Sequence, residues 1–316
     1  MCCKVSAAPH LMTNPRFQIL LAQHYGMCFG VRDALTEAER VASRRPATIL
    51  GELVHNEAVR ERLSKAGALE GQLEGESAST ADVIVTAHGA SDRDRRRWKN
   101  AGYRVTDTTC PLVRKAHVAL ARLVLEGCTP VVIGKRGHVE VRGLTGDFPG
   151  AHVVLNEPEV EALPFSRRFG VVAQTTQPID RVEDVLEKIR RRHPDAEVVF
   201  KDTVCHPTKA RQKALETLCQ EVDFVLVVGG HNSNNSRQLV EKARRNGCLS
   251  ERVTRSGEIR AEWFSDTRVV GVTAGTSTLE ESVEEVVVHL ESLGGRREVL
   301  PRPDAAAAFS GKKLAV

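Results

Sequence analysis

The chain has 316 residues, 41% hydrophobic and 27% charged, with a formal net charge of +4 and 8 cysteines. That length buries a sizeable core and allows two or three domains, while so small a charge gives no reason to expect a nucleic-acid partner. No window approaches the ~18 apolar residues of a membrane span and the start, MCCKVSAAPH, lacks the apolar region of a secretion signal. A cytoplasmic enzyme with reduced thiols is therefore expected, not a secreted disulfide framework.

Residues 1–15 read as a terminal extension. Beyond them, short apolar, β-branched runs at 19–22, 48–50, 83–87, 131–133, 171–173, 198–200, 224–228 and 269–273 predict strands. Between the runs, Val31, Ala34, Leu35, Ala38 and Ala42 keep helical spacing, as do Val182, Val185, Leu186 and Ile189. Strand and helix alternate, which predicts an α/β fold with parallel sheets. Cysteine-bearing turns recur near Thr109 and Thr203 and set the breaks. Three α/β lobes are expected, over residues 16–109, 110–203 and 204–300, with a terminal tail at 301–316. Basic runs at 95–97 and 190–192 fall on polar helix faces and read as solvated.

Cys28, Cys110 and Cys205 share one context: each lies where an apolar run ends and a helical pattern begins. Pro111 and Pro207 suit the first turn of the helices that follow, and Gly30 allows close backbone approach. The gaps of 82 and 95 residues between the cysteines each hold about one small α/β unit. The three can meet only if three similar lobes turn the same edge to a common centre, as in a cloverleaf. Thiolates so placed can hold three corners of a cubane iron–sulfur cluster and leave one iron open. Their position ahead of helix N-termini predicts lowered pKa values. Taken singly, each is better read as an ordinary buried cysteine. Cys128 and Cys219 fall within or at the end of predicted helices, Cys248 in a turn, and Cys2 and Cys3 at the terminus. These five read as structural or free thiols.

Polar residues cluster at equivalent places. His55 follows the run at 48–50, His88 ends that at 83–87, and His138 and Glu140 follow 131–133. Thr175 follows 171–173, Ser233, Asn234 and Asn235 follow 224–228, and Ser277 follows 269–273. Structural readings exist for each. Ser277 opens a capping box with Glu280, Asn235 or Ser236 can cap a helix, and His88 before Gly89 suits a turn. Ligands of open α/β sheets sit beyond the carboxyl ends of strands. There, three imidazoles, one carboxylate and a ring of hydroxyls and amides make a polyanion site that can also donate protons.

These residues fall in nine short motifs: G-x-C-x-G-V at 26–31, V-H-N at 54–56, A-H-G at 87–89, D-x-T-C-P-L-V at 107–113, G-H-x-E at 137–140, Q-T-T at 174–176, C-x-x-T-x-x-R-Q at 205–212, N-S-x-N-S at 232–236 and G-V-T-A-G-x-S at 271–277. In that order, over about residues 19–294, the chain resembles the 4-hydroxy-3-methylbut-2-enyl diphosphate reductase family, iron–sulfur enzymes that end the non-mevalonate isoprenoid pathway. The resemblance implies a three-lobed cloverleaf around a 4Fe–4S cluster held by Cys28, Cys110 and Cys205, with one open iron site. It implies that His55, His88, His138, Ser233, Asn234, Asn235 and Ser277 surround the diphosphate, with the histidines protonated. Glu140 then supplies protons in a network with Thr175 and His138. Two electrons enter singly from a ferredoxin or flavodoxin, and the products are isopentenyl and dimethylallyl diphosphate. Val139, Arg142, Asn234 and Leu279 depart from the family's usual Pro, Glu, Ser and Pro, and none of them removes a ligand or the acid.

Two other classes stay open. One is a metal-dependent hydrolase or deaminase built on His138 and Glu140, although the C-x-x-C of zinc deaminases is absent. The other is a non-catalytic three-lobed metal-binding module, although no fourth cysteine shares the junction context that would close such a site.

Overall fold

The computed structural model describes residues 16–298; Cys2, Cys3 and the expected terminal extensions lie outside the described residues. The chain opens with β1 (Phe17–Leu21) and α1 (Phe29–Ala42). It continues through β2 (Ala47–Leu50), α2 (Glu57–Lys65), β3 (Ala68–Gly71), β4 (Asp82–Val85), α3 (Asp92–Asn100) and β5 (Arg104–Asp107). Next come α4 (Pro111–Leu125), β6 (Thr129–Ile133), α5 (Val139–Thr145), β7 (His152–Val154), α6 (Glu157–Glu161), β8 (Arg168–Ala173), α7 (Ile179–Arg192) and β9 (Glu197–Phe200). The last stretch holds α8 (His206–Leu218), β10 (Phe224–Val228), α9 (Asn234–Arg245), β11 (Leu249–Val253), β12 (Val269–Ala274), α10 (Glu280–Ser292) and β13 (Gly295–Glu298).

The strands form three sheets, ordered β3-β2-β4-β5, β7-β6-β8-β9 and β11-β10-β12-β1-β13. Every pairing is parallel. Inner strands such as β2, β4 and β10 are buried along their whole length, as sheets covered on both faces require.

The order corrects one expectation. β1, read from sequence as the start of the first lobe, belongs to the third sheet, with Ile19 opposite Val270 of β12. Its position is the one that β5 takes beside β4 and β9 takes beside β8, so the threefold repeat closes on itself. α1 leaves the third sheet and packs Ala34, Leu35 and Ala38 on Ile49 and Ile84 of the first. α4 leaves the first and packs Ala116, Leu120 and Leu123 on Val132 and Val172 of the second. α8 leaves the second and packs Ala214 and Leu218 on Leu20 and Ala22 of the third. Each cysteine-bearing turn is thus a crossing between sheets.

One basic run is also tied into the fold. Arg95 reaches Asp92 and Asp107, and Arg97 donates to the carbonyls of Leu73 and Gly75, its guanidinium 5.2 Å from the Trp98 ring centroid.

Candidate active site

Cys28, Cys110 and Cys205 are the N-cap residues of α1, α4 and α8. Their backbone N–H groups donate to equivalent carbonyls just beyond the third strand of each sheet: Thr276 at 3.0 Å, Ala87 at 3.1 Å and Thr175 at 2.9 Å. The three thiols converge: an ionised Cys28 pushes up both Cys110 and Cys205, and the Cys110 Sγ lies where a Cβ on Gly30 would stand. Burial is the larger cause of both shifts. It outweighs the amides of Leu112 and Val113 at Cys110. At Cys205 it outweighs the Thr208 hydroxyl, 3.0 Å from Sγ, and takes the thiol to about 11. The expected lowering by helix N-termini is therefore overturned for these two thiols.

Among the described residues, no three His, Cys, Asp or Glu side chains are placed to share a single metal ion. Three separate thiols around one centre suit a polynuclear cluster, in which each holds a different iron. Gly30→Ala is expected to fold but to lose most of its reconstituted iron, because the methyl group takes the place of Cys110 Sγ. Iron assay beside circular dichroism checks this; full iron content would rule out the close packing argued here.

His55, His88 and His138 form a second cluster. Their ring centroids are 4.6, 5.5 and 5.4 Å apart pairwise. His55 Nδ1 contacts the Glu52 carboxylate at 2.6 Å. His138 caps α5, its Nδ1 accepting from the Glu140 N–H at 3.2 Å, which puts the proton of the neutral ring on Nε2. Burial, with His55 and other cations nearby, takes His138 down to about 3. Burial also holds His88 well below the usual range, and its Nε2 is buried without a partner. In the free protein both rings are neutral at pH 7, contrary to the expected imidazolium ions.

Glu140 lies at the second position of α5 and is 1% exposed. Its Oε1 accepts from the Thr175 N–H at 2.6 Å. Burial raises its carboxyl to about 7 against that bond and the Thr175 hydroxyl, both of which lower it. Since Glu140 and His138 Nδ1 are already engaged in this way, the geometry gives no support to a metal-dependent hydrolase.

The remaining residues come from the third sheet. Ser233, neither Asn235 nor Ser236, caps α9. Asn235 Oδ1 accepts from Thr276 N–H at 3.0 Å, leaving its Nδ2 buried without a partner. Asn234 binds Thr176 Oγ1 at 3.2 Å and Arg237 at 2.8 Å, so it ties the third lobe to the second. Ser277 forms no capping box; α10 starts at Glu280, with Leu279 as its cap. The buried Ser277 instead offers its carbonyl to Asn56 Nδ2 at 2.9 Å.

Sequence reasoning missed Glu52, Asn56 and Arg211. Asn56 caps α2, and an asparagine just ahead of a helical pattern was its signal. Arg211 stands on the buried stripe of α8 with Ala214, Leu215 and Leu218, a cation where the period calls for an apolar residue.

Fold and site define a three-lobed α/β protein whose centre gathers three thiols and a buried acid, beside three packed histidines. The chain belongs to the LytB protein family, whose family model matches residues 19–291. It is 38% identical over 304 residues to the 4-hydroxy-3-methylbut-2-enyl diphosphate reductase of Burkholderia pseudomallei (strain 1026b), covering 94% of each chain. It is 35% identical over 286 residues to the enzyme of that name from Escherichia coli O1:K1 / APEC, covering 88% of this chain and 90% of that one. Among solved structures, the E-1-hydroxy-2-methyl-but-2-enyl-4-diphosphate reductase of Plasmodium falciparum matches with a TM-score of 0.83 at 25% identity, over 92% of this chain and 94% of that one. Among the described residues no helix is long and apolar enough to cross a membrane.

Proposed function

We propose that this chain reduces (E)-4-hydroxy-3-methylbut-2-enyl diphosphate to isopentenyl and dimethylallyl diphosphate. One observation carries the reading: three N-capping thiols share a centre with a buried carboxyl poised near neutrality, beside a cluster of three histidines. The relatives' names agree with it. The reaction consumes two electrons and two protons, breaks the C–O bond and releases water. Bound to Cys28, Cys110 and Cys205, a 4Fe–4S cluster with an open iron would supply the one-electron steps. The donor is a small redox protein, a ferredoxin or flavodoxin, acting in the cytoplasm.

The chain's own residues hold the substrate and move protons. His138 Nε2–H, the free amide of Asn235 and the hydroxyls of Ser233 and Ser277 donate to the diphosphate. Asn234, engaged with Thr176 and Arg237, holds the third lobe in place behind them. His55, whose Nδ1 is held by the Glu52 carboxylate at 2.6 Å, is oriented toward the phosphates. Thr175 orients Glu140, whose carboxyl delivers the proton that leaves with the hydroxyl oxygen. The test is anaerobic reconstitution with iron and sulfide, visible and paramagnetic resonance spectra, and product analysis with an artificial reductant. A reconstituted cluster without turnover of this diphosphate would refute the substrate assignment.

His88 sets a pH dependence. Its pKa is held low chiefly by burial, and by the cost of a second charge beside the His55 and His138 rings, and the arriving diphosphate favours the protonated form. The complex therefore holds more protons than the free protein, so binding takes up protons and tightens as pH falls. Calorimetry in two buffers of different ionisation enthalpy should show net uptake in the wild type and less in His88→Ala. His88→Ala should also weaken binding roughly tenfold to hundredfold, the range for a hydrogen bond to a charged group. Buffer-independent enthalpies in the wild type would refute the linkage.

A further inference from the structure

Arg211 is the feature of the site that the proposed chemistry does not yet use. It lies in the second turn of α8 and is only 6% exposed. Its Nη1 donates to the Pro207 carbonyl at 3.0 Å and its Nη2 to the carbonyl of Gly26. It thereby joins the residue two positions before Cys28 to the residue two positions after Cys205. Its Nε is buried with no partner.

Buried charges are ordinarily paired. Lys242, also buried at 7%, follows that rule and meets Glu216 at 2.8 Å. Arg211 makes no such ion pair among the described residues; the two carbonyls it binds instead flank Cys28 and Cys205. A guanidinium without a carboxylate, tied to the flanks of two thiols, is matched only if the centre it faces is negative.

We propose that Arg211 is a positioning residue for the three-thiol centre, and that its fixed positive charge favours both assembly of the cluster and acceptance of each electron. This rests on the cluster reading given above. Three thiolates make the loaded centre anionic, and each electron added makes it more so. A nearby cation stabilises the reduced form more than the oxidised one, most strongly where little water screens it. Removing the charge should therefore lower the midpoint potential. The guanidinium also fixes the Cys28 turn against α8, so it holds two ligands at their spacing before any iron arrives.

The test compares wild type, Arg211→Lys and Arg211→Met after anaerobic reconstitution with iron and sulfide. Iron and sulfide per chain, the midpoint potential by spectroelectrochemistry and circular dichroism of the iron-free forms are measured. Arg211→Met should shift the reduction equilibrium at least about tenfold toward the oxidised form, about 59 mV for one electron. Arg211→Lys should stay near wild type. An Arg211→Met protein that cannot keep its cluster, while Arg211→Lys can, supports the proposal equally. Wild-type midpoints in both variants overturn it. Loss of the cluster from both overturns the electrostatic role and leaves only the bridge between carbonyls. A wild-type protein that takes up no iron and sulfide refutes the reading of the three cysteines first, and this proposal with it.

Discussion

Cys110→Ser is expected to give a folded, colourless protein with no detectable reductase turnover, and Cys28→Ser and Cys205→Ser the same. The structural work of each cysteine is done by its backbone: the N–H groups bind the carbonyls of Thr276, Ala87 and Thr175. Serine keeps those bonds. None of the three thiols makes a full side-chain cap hydrogen bond, although the Leu112 and Val113 amides approach Cys110 and the Thr208 amide approaches Cys205, whereas serine is among the best N-caps and is worth about 1 kcal/mol there. The iron-free variant should therefore melt at or above the temperature of iron-free wild type. What it loses is a soft thiolate for iron. The controls are Cys128→Ser, Cys219→Ser and Cys248→Ser. Cys128 packs in the second lobe's core, and Cys248 Sγ lies 3.5 Å from the Cys219 carbonyl in the third. These changes should cost some stability by burying a hydroxyl, about 1–3 kcal/mol where it stays unpaired, and keep the cluster. A Cys110→Ser protein with full iron and full turnover would falsify the three-ligand assignment.

With one exception the strands that could be read from sequence are central ones; the exception is β9, an edge strand found from its run Val198–Phe200. Runs such as Val225, Leu226 and Val227 in β10 or Val83 and Ile84 in β4 are apolar at every position because helices cover both sides. β3, β5, β7, β11 and β13 gave no such run, and all five are edge strands. Their partly exposed residues, Glu70 or Arg104 for example, are tolerated because one flank has no neighbour. The N-capping cysteines were legible because proline and glycine mark the helix starts beside them. The place of β1 was not, since no local pattern says which sheet a strand joins; the closing of the repeat decides that. Side-chain charge was the other blind spot. Sequence placed Cys110, Cys205, His88 and His138 near helix ends and anions, and so predicted low thiol pKa values and charged rings. These side chains are buried enough that desolvation is the largest cause in all four, and it reverses each expectation.

Glu140→Gln should keep the cluster and bind substrate with near-normal affinity, yet lose at least ~100-fold in turnover, the lower end of what a positioned proton donor contributes. Glutamine has the size of glutamate, and its amide oxygen can still accept the Thr175 N–H that holds the carboxylate at 2.6 Å. It cannot deliver a proton. Burial has raised the Glu140 carboxyl to about 7, so in the free enzyme a large share stays protonated at neutral pH. The protonated form is the working one and is populated below that pKa. For wild type, kcat/KM should therefore fall as pH rises through about 7, and this limb should be missing from the residual activity of Glu140→Gln. The measurement needs a saturating artificial reductant, so that electron supply does not limit turnover. Near-normal turnover in Glu140→Gln would show that the proton comes from elsewhere in the cavity. His138 is the nearest alternative, since its Nδ1 accepts the Glu140 N–H at 3.2 Å. In that case His138→Gln, not Glu140→Gln, should lose turnover, and because His138 is held down at about 3 the wild-type profile should lack the limb near 7, which makes the two donors separable in one set of pH profiles.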